Sequence, residues 1–163
     1  MDTTLQRVGV SAPADFPAPG EPSAGRAELD RMVAGASTRP FFARIGLPGP
    51  SDWEYGRIVA EFSASPDTTA VEGVVFGGYI ASLIDQQAAL ALLSVIPDGT
   101  IQLTRRLEVE FLAPLVPDRV LRVEAEVIEL TERRAVCQVA VSQNGATASL
   151  GRVTHRLRRP RRP

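Results

Sequence analysis

Gly77-Gly78-Tyr79-Ile80-Ala81-Ser82-Leu83-Ile84-Asp85-Gln86-Gln87-Ala88-Ala89-Leu90-Ala91-Leu92-Leu93-Ser94-Val95-Ile96 is the stretch around which this chain is organised, a glycine-initiated apolar run closed by Pro97-Asp98-Gly99. Its only charge is Asp85. A run about five helical turns long and apolar on nearly every side predicts a helix buried all round, not a surface helix with one core stripe. The strands must then wrap around it. Burying its Leu, Ile and Val side chains at roughly 1.5–3 kcal/mol each gives a gross stabilisation on the order of 10–20 kcal/mol, comparable to the net stability of a domain. A carboxylate inside such a helix demands an explanation.

Moving outward, Tyr55 to Ala64 reads as a strand before the helix, with Ile58, Ala60 and Phe62 alternating against Arg57, Val59 and Glu61. Pro66-Asp67-Thr68-Thr69 breaks it, and Glu72-Gly73-Val74-Val75-Phe76 leads into the helix. After Gly99, Leu107, Val109 and Phe111 alternate with Arg106, Glu108 and Glu110, and Leu121, Val123, Ala125 and Val127 alternate with Arg122, Glu124 and Glu126. Each has one wet and one dry face, the pattern of antiparallel strands. Ala135–Ser142, an Asn144-Gly145 turn and Thr147–Leu157 predict a terminal hairpin. The fold class is therefore α+β, a curved antiparallel sheet wrapped around one long helix. Such a sheet leaves an edge strand and part of the helix uncovered, for which dimerisation is the usual remedy.

Nearer the N-terminus, residues 1–22 are rich in Ala, Pro, Gly and Ser and read as a disordered leader. Ser23 is a candidate cap for a short amphipathic helix carrying Leu29, Met32 and Val33, stopped by Gly35, that plugs one end of the core. Residues 23–158 then form one domain and 159–163 a basic tail. The 163 residues suffice for one core, and 44% apolar with 23% charged residues is the composition of a soluble globular protein. A formal charge of −1 offers no global field for nucleic acid or an anionic membrane. Neither a membrane span nor a signal peptide is expected. The single cysteine, Cys137, excludes an internal disulfide and suits a cytoplasmic location. Every basic residue is arginine, which suggests a GC-rich, bacterial genome.

Several residues invite a chemical reading. Gly77-Gly78 at the helix start either forms a tight strand-to-helix turn or presents unpaired N–H groups to an incoming oxygen, aided by the helix dipole. Asp85 sits two turns in, too deep to cap the helix, with small neighbours Ala81, Ser82, Ala88 and Ala89 leaving space beside it. A desolvated carboxylate is costly unless paired, so either it is functional or it belongs with Gln86 and Gln87 to a polar stripe facing solvent or a subunit. His155 reads as a surface or satisfied strand histidine, and Cys137 as core. One histidine and one cysteine make an imidazole or thiolate metal site improbable, and there is no Gly-x-Ser-x-Gly elbow. The arginines from Arg152 to Arg162 form a solvated end or a phosphate contact.

Gly73-Val74-Val75-Phe76-Gly77-Gly78, then Leu83-Ile84-Asp85, then Glu108-Val109-Glu110-Phe111-Leu112-Ala113-Pro114 resemble the hotdog-fold acyl-CoA thioesterases of the phenylacetate-pathway (PaaI-like) group, over about residues 40–158. In that family Gly-x-x-His-Gly-Gly opens the central helix, an Asp follows seven residues after the second Gly, and a later strand ends in Phe-x-x-Pro. The resemblance implies a homodimer or dimer of dimers hydrolysing an acyl-CoA thioester at a subunit interface, with neither cofactor nor metal. It implies Asp85 as general base or nucleophile, Gly77 as the N–H donor to the thioester oxygen, and Thr104 as a water-orienting hydroxyl from the partner subunit. Phe76, Gly78, Ala70 and Ser82 would line the substrate. Two positions depart from the family: Phe76 stands where it has His, and Ala70 where it commonly has Asn. The alternative function is therefore a non-catalytic hotdog protein that binds acyl-CoA or another acyl ligand. A hydratase would want a histidine near the helix start, and none is there.

Overall fold

The computed structural model describes residues 9–37, 39–71 and 73–159. Two short helices, α1 (Ala24–Val33) and α2 (Pro40–Arg44), precede strands β1 (Asp52–Glu54), β2 (Arg57–Ser63), β3 (Thr69–Val71) and β4 (Val74–Val75). The long helix α3 (Gly77–Leu93) follows, then β5 (Ile101–Phe111), β6 (Val120–Leu130), β7 (Arg134–Gln143) and β8 (Ala146–Arg158). The main sheet is antiparallel with strand order β1-β2-β6-β7-β8-β5. Its inner face packs on α3.

The alternations produce this sheet. Leu121, Val123, Ala125 and Val127 of β6 and Ala135, Cys137, Val139 and Val141 of β7 are all buried. The outer face carries ion pairs, among them Arg57–Glu124 at 3.1 Å and Arg122–Glu61 at 2.5 Å. The β7–β8 turn takes positive φ at both Asn144 (53°) and Gly145 (77°), the two-residue geometry that matches the twist of paired strands. Gly151 of β8 lies under α3, where a Cβ would come 2.3 Å from Ile84 Cγ2. Strand and helix meet there at a distance only glycine permits.

Ser23 caps α1, accepting from the Arg26 N–H at 3.2 Å, and Leu29 and Met32 are buried against the end of α3. Gly25 brings the two helices into backbone contact, a Cβ there falling 2.3 Å from the Leu93 carbonyl oxygen. Arg26 is buried and donates to the carbonyls of Ser94 (2.8 Å), Ala18 (2.9 Å) and Glu21. Residues 9–22, whose composition suggests disorder, thus follow the body of the domain: Phe16 is buried, and the Tyr55 hydroxyl donates to the Pro17 carbonyl at 3.1 Å. Arg159, the first residue of the supposed basic tail, pairs with Asp15 and stacks on Phe16, 4.7 Å from the ring centroid. Residues 1–8 and 160–163 lie outside the described residues.

Two expectations are corrected. First, α3 is not buried all round: Gly78 and Ser82 are exposed and Asp85 and Ala89 partly so, forming one row at helical spacing. Second, the Asp85-Gln86-Gln87 trio is no single polar stripe. Gln86 and Gln87 are buried and both donate to the Pro48 carbonyl, at 3.1 and 3.0 Å, while Asp85 lies on the open row. Adjacent helical residues point about 100° apart, so the triplet divides between two faces.

Candidate functional site

The open row of α3 faces β5, the edge strand of the sheet. Thr104 Oγ1 donates to Asp85 Oδ1 at 2.7 Å, joining strand and helix. The resemblance would bring this hydroxyl from a partner subunit, yet here it comes from the same chain. The reason is a bulge. Thr104 pairs with His155 and Arg106 with Thr154, leaving Arg105 unpaired. Before the bulge the even residues face α3, with the Gln102 side chain donating to the Ala89 carbonyl at 2.9 Å and Thr104 reaching Asp85. After it the odd residues Val109 and Phe111 do so, Val109 against the core and Phe111 against Gly77.

At the other end, Phe76 is the N-cap of α3 and makes no side-chain cap, so the first-turn N–H groups have no partner from that quarter. The Phe76 N–H itself donates to the Thr68 carbonyl at 2.8 Å. The two glycines that follow are framed by aromatic rings. A Cβ on Gly77 would sit 3.4 Å from Phe111 Cζ, and one on Gly78 would sit 2.4 Å from Phe76 Cε1. Both rings are more than half exposed, Phe76 at 56% and Phe111 at 54%. The Ser82 hydroxyl turns back to the Gly78 carbonyl, donating at 2.9 Å. Ala70 and Phe76 share a separate pocket of about 580 Å³ with Tyr79, Arg44, Ile45 and Thr68. Tyr79 donates to the Gly46 carbonyl at 2.7 Å, and burial pushes its hydroxyl pKa up to about 12.

The structure therefore brings Asp85 and Thr104 together, places Gly77 and Gly78 between two rings, and groups Ala70 with Phe76. It does not bring Gly77 next to Asp85 within one chain. Eight residues of helix separate them by about 12 Å at 1.5 Å per residue. Phe111 and Leu107, the latter 37% exposed on the same edge strand, were not singled out from the sequence as site residues. In the sequence Phe111 is marked by the Phe-x-x-Pro strand end, and Leu107 only by the alternation of its strand. His155 corrects the reading of a surface or satisfied histidine: it is 1% exposed, and neither ring nitrogen has a partner among the described residues. Burial pulls its pKa below the ordinary value, partly opposed by the charge of Asp85. Cys137 is core as expected, its thiol pKa raised by burial.

Among the described residues no helix is long and apolar enough to cross a membrane. Residues 72–148 match the family model of the thioesterase superfamily. A search of curated proteins found no match. Among solved structures, a phenylacetic acid degradation-related protein of Ralstonia eutropha JMP134 is similar at 20% identity and a TM-score of 0.70, over 79% of this chain and 98% of that one. A thioesterase of Haemophilus influenzae is similar at 19% identity and a TM-score of 0.69, over 80% and 90% of the two chains. A thioesterase protein of Streptococcus pneumoniae TIGR4, solved with coenzyme A, is similar at 20% identity and a TM-score of 0.63, over 69% and 87%. The long helix within its antiparallel sheet is thus the hotdog fold of these proteins, and over residues 72–148 the chain matches the thioesterase superfamily.

Proposed function

We propose that this protein is an acyl-CoA thioesterase that works as a homodimer or dimer of dimers, with Asp85 as its base. The observation that carries the proposal is the Thr104–Asp85 hydrogen bond on the open face of α3. The single charge of α3 lies there, oriented by a hydroxyl and partly exposed. The Streptococcus pneumoniae neighbour solved with coenzyme A supports the ligand class.

In this reading Asp85 takes a proton from water as the oxygen attacks the thioester carbonyl carbon. Negative charge develops on the carbonyl oxygen and is held by the Gly77 N–H at the positive end of α3. The C–S bond then breaks, and the departing thiolate takes the proton back from Asp85, leaving a free acid and CoA. One carbonyl cannot touch a base and an N–H about 12 Å apart on the same helix, so a second copy supplies one of them. The unpaired edge of β5, with Ile101, Leu103, Leu107 and Phe111 exposed, is the surface through which that copy would join.

The test is release of free thiol from a panel of short, branched, aromatic and long acyl-CoAs. Asp85→Ala should lower turnover by roughly two to four orders of magnitude while the melting temperature holds or rises. Hydrolysis by that variant at the wild-type rate would end the assignment. One observation favours the second reading, a non-catalytic acyl-ligand binder: the pocket beside the helix start offers Phe76 and Ala70 where the family has His and Asn. That protein would release no thiol, yet acyl-CoA would still raise its melting temperature.

A further inference from the structure

The outer face of the sheet is neutralised in pairs at one end and not at the other. Across β2 and β6, Arg57 and Arg122 each reach Glu124, and Arg122 also reaches Glu61. Where the β6–β7 turn meets the end of β8, Arg133, Arg156 and Arg158 are exposed and have no ion partner among the described residues. The chain has 19 acidic residues against 18 basic ones, so acids to pair them are not lacking. Arg156 also stands directly opposite Arg134 on β7. Like charges opposite one another on an antiparallel ladder destabilise it, so this end of the face costs stability until an anion from outside joins it.

These three arginines line one cleft of about 270 Å³, walled further by Glu132 and Arg159. Arg159 is already engaged by Asp15 and the Phe16 ring, and Glu132 is the cleft's single acid. The backbone beneath is fixed. The Thr131 N–H donates to the Arg134 carbonyl at 2.8 Å, the Arg134 N–H to Thr131 Oγ1 at 3.0 Å, and the Leu157 N–H to the Arg133 carbonyl at 2.8 Å. Guanidinium groups on a fixed backbone suit phosphate, whose oxygens accept paired N–H bonds. The cleft also lies near the Asp85 site. Arg156 follows His155, which is opposite Thr104, and Arg158 is opposite Ile101, three residues before Thr104. At about 3.4 Å per residue and about 4.8 Å between strands, the backbones of Arg158 and Thr104 are about 11 Å apart. We propose that this cleft holds the phosphates at the nucleotide end of a CoA thioester whose acyl carbonyl lies at Asp85. CoA carries its phosphates at one end and its thiol at the other, and the extended pantetheine arm between them spans more than that interval, passing the exposed Ile101 where β5 begins.

This inference deepens the thioesterase reading and rests on it for where the acyl end lies, but it assigns the arginines to binding and not to chemistry. One acyl group is therefore offered both as its CoA thioester and as its pantetheine thioester, which has the same reacting end and no phosphate. In Arg156→Gln/Arg158→Gln the KM for the CoA ester should rise on the order of tenfold to a hundredfold with kcat within about twofold, as when binding common to substrate and transition state is lost. The pantetheine ester should be turned over as by wild type. Glu132→Gln, which removes the opposing charge, should lower the CoA-ester KM, and Arg119→Gln, at the opposite end of β6, should change neither ester. An unchanged KM for the CoA ester in the double variant, or an equal rise for both esters, would overturn the proposal. If wild-type protein releases thiol from neither ester, the thioesterase reading fails, and ligand-induced melting shifts decide the cleft by themselves. CoA should then raise the melting temperature of wild type more than that of the double variant, and pantetheine should not distinguish them. Equal CoA shifts in the two proteins would overturn the proposal, as would inorganic phosphate matching CoA at the same concentration, since the cleft would then be a general anion site.

Discussion

Gly151→Ala is the substitution whose effect the structure sets most sharply, because it strikes the contact that holds α3 on the sheet. The new methyl would meet Ile84 Cγ2 at 2.3 Å, Cδ1 at 3.3 Å and Cβ at 3.4 Å. Carbon atoms rest at about 3.5–4.0 Å, so the nearest pair is short by more than 1 Å. Ile84 cannot swing away easily, being fully buried and β-branched on a helix, where one χ1 rotamer dominates. The helix must lift instead. Overpacking of this kind costs roughly 1–3 kcal/mol, and the reduced freedom of an alanine in the unfolded chain returns about 0.4–1 kcal/mol. The net expectation is a loss of about 1–2 kcal/mol, read as a lower urea midpoint at unchanged slope. Ile84→Ala removes the colliding atoms, so in that background Gly151→Ala should cost nothing or stabilise. The coupling between the two sites should then exceed about 1 kcal/mol. Equal cost in both backgrounds would refute the contact. Ile84 also precedes Asp85, and lifting α3 stretches the 2.7 Å bond to Thr104, so thioester turnover should fall further than stability does.

Gly25→Ala tests the other close approach. Helix propensity alone predicts a gain of about 1 kcal/mol, but the added Cβ would sit 2.3 Å from the Leu93 carbonyl oxygen, a backbone atom with no rotamer to change. Net destabilisation of about 1–3 kcal/mol is expected, and a higher melting temperature would contradict the packing of α1 on α3. His155 makes a pH prediction. Its folded pKa lies below the unfolded value of about 6.5, so the unfolded chain binds more protons between the two, and stability must fall as pH drops through that window. The slope is at most about 1.4 kcal/mol per pH unit. Urea unfolding at pH 7.5 and 5.5 should show this loss in wild-type protein and less of it in His155→Phe; equal losses would assign the effect to other groups.

What could be read from the sequence, and what could not, divides at β5. The central helix, the strands of the terminal hairpin and the spacing from Gly78 to Asp85 are local patterns of period 3.6 or 2, and they carry through to the structure. The bulge at Arg105 is not such a pattern. It inserts one residue and reverses which parity faces α3, so Thr104 and Phe111, an even and an odd position, meet the same helix. Alternation read from Leu107, Val109 and Phe111 alone cannot carry Thr104 onto that face. His155 was obscured by a related limit. Alternation on β8 fixes its side of the strand, but only the sheet order reveals that Thr104 of β5 and Ala135 of β7 stand on either side of it. The leader shows a third limit, since Pro- and Ala-rich composition reports what residues 9–22 could bury alone and not that Arg26 would gather their carbonyls.

The bulge also explains why the open face holds both a polar and an apolar half. An unbroken alternation would present one class of side chain along all of β5, either the even set with Gln102 and Thr104 or the odd set ending in Phe111. Switching parity at Arg105 places hydroxyl and amide beside the second half of α3, where Asp85 and Ala89 lie, and an aromatic ring beside its glycine start. A ligand lying along that face would meet apolar walls around the Gly77 N–H and a hydrogen-bonding end at Asp85. Moving the extra residue should therefore disturb the site more than the fold. Deleting Arg105 from β5 would put Thr104 out of phase with the residues after it, and the register with β8 can be kept only on one side of the cut. The hairpin and α3 would survive, while either Thr104 leaves Asp85 or Phe111 leaves Gly77.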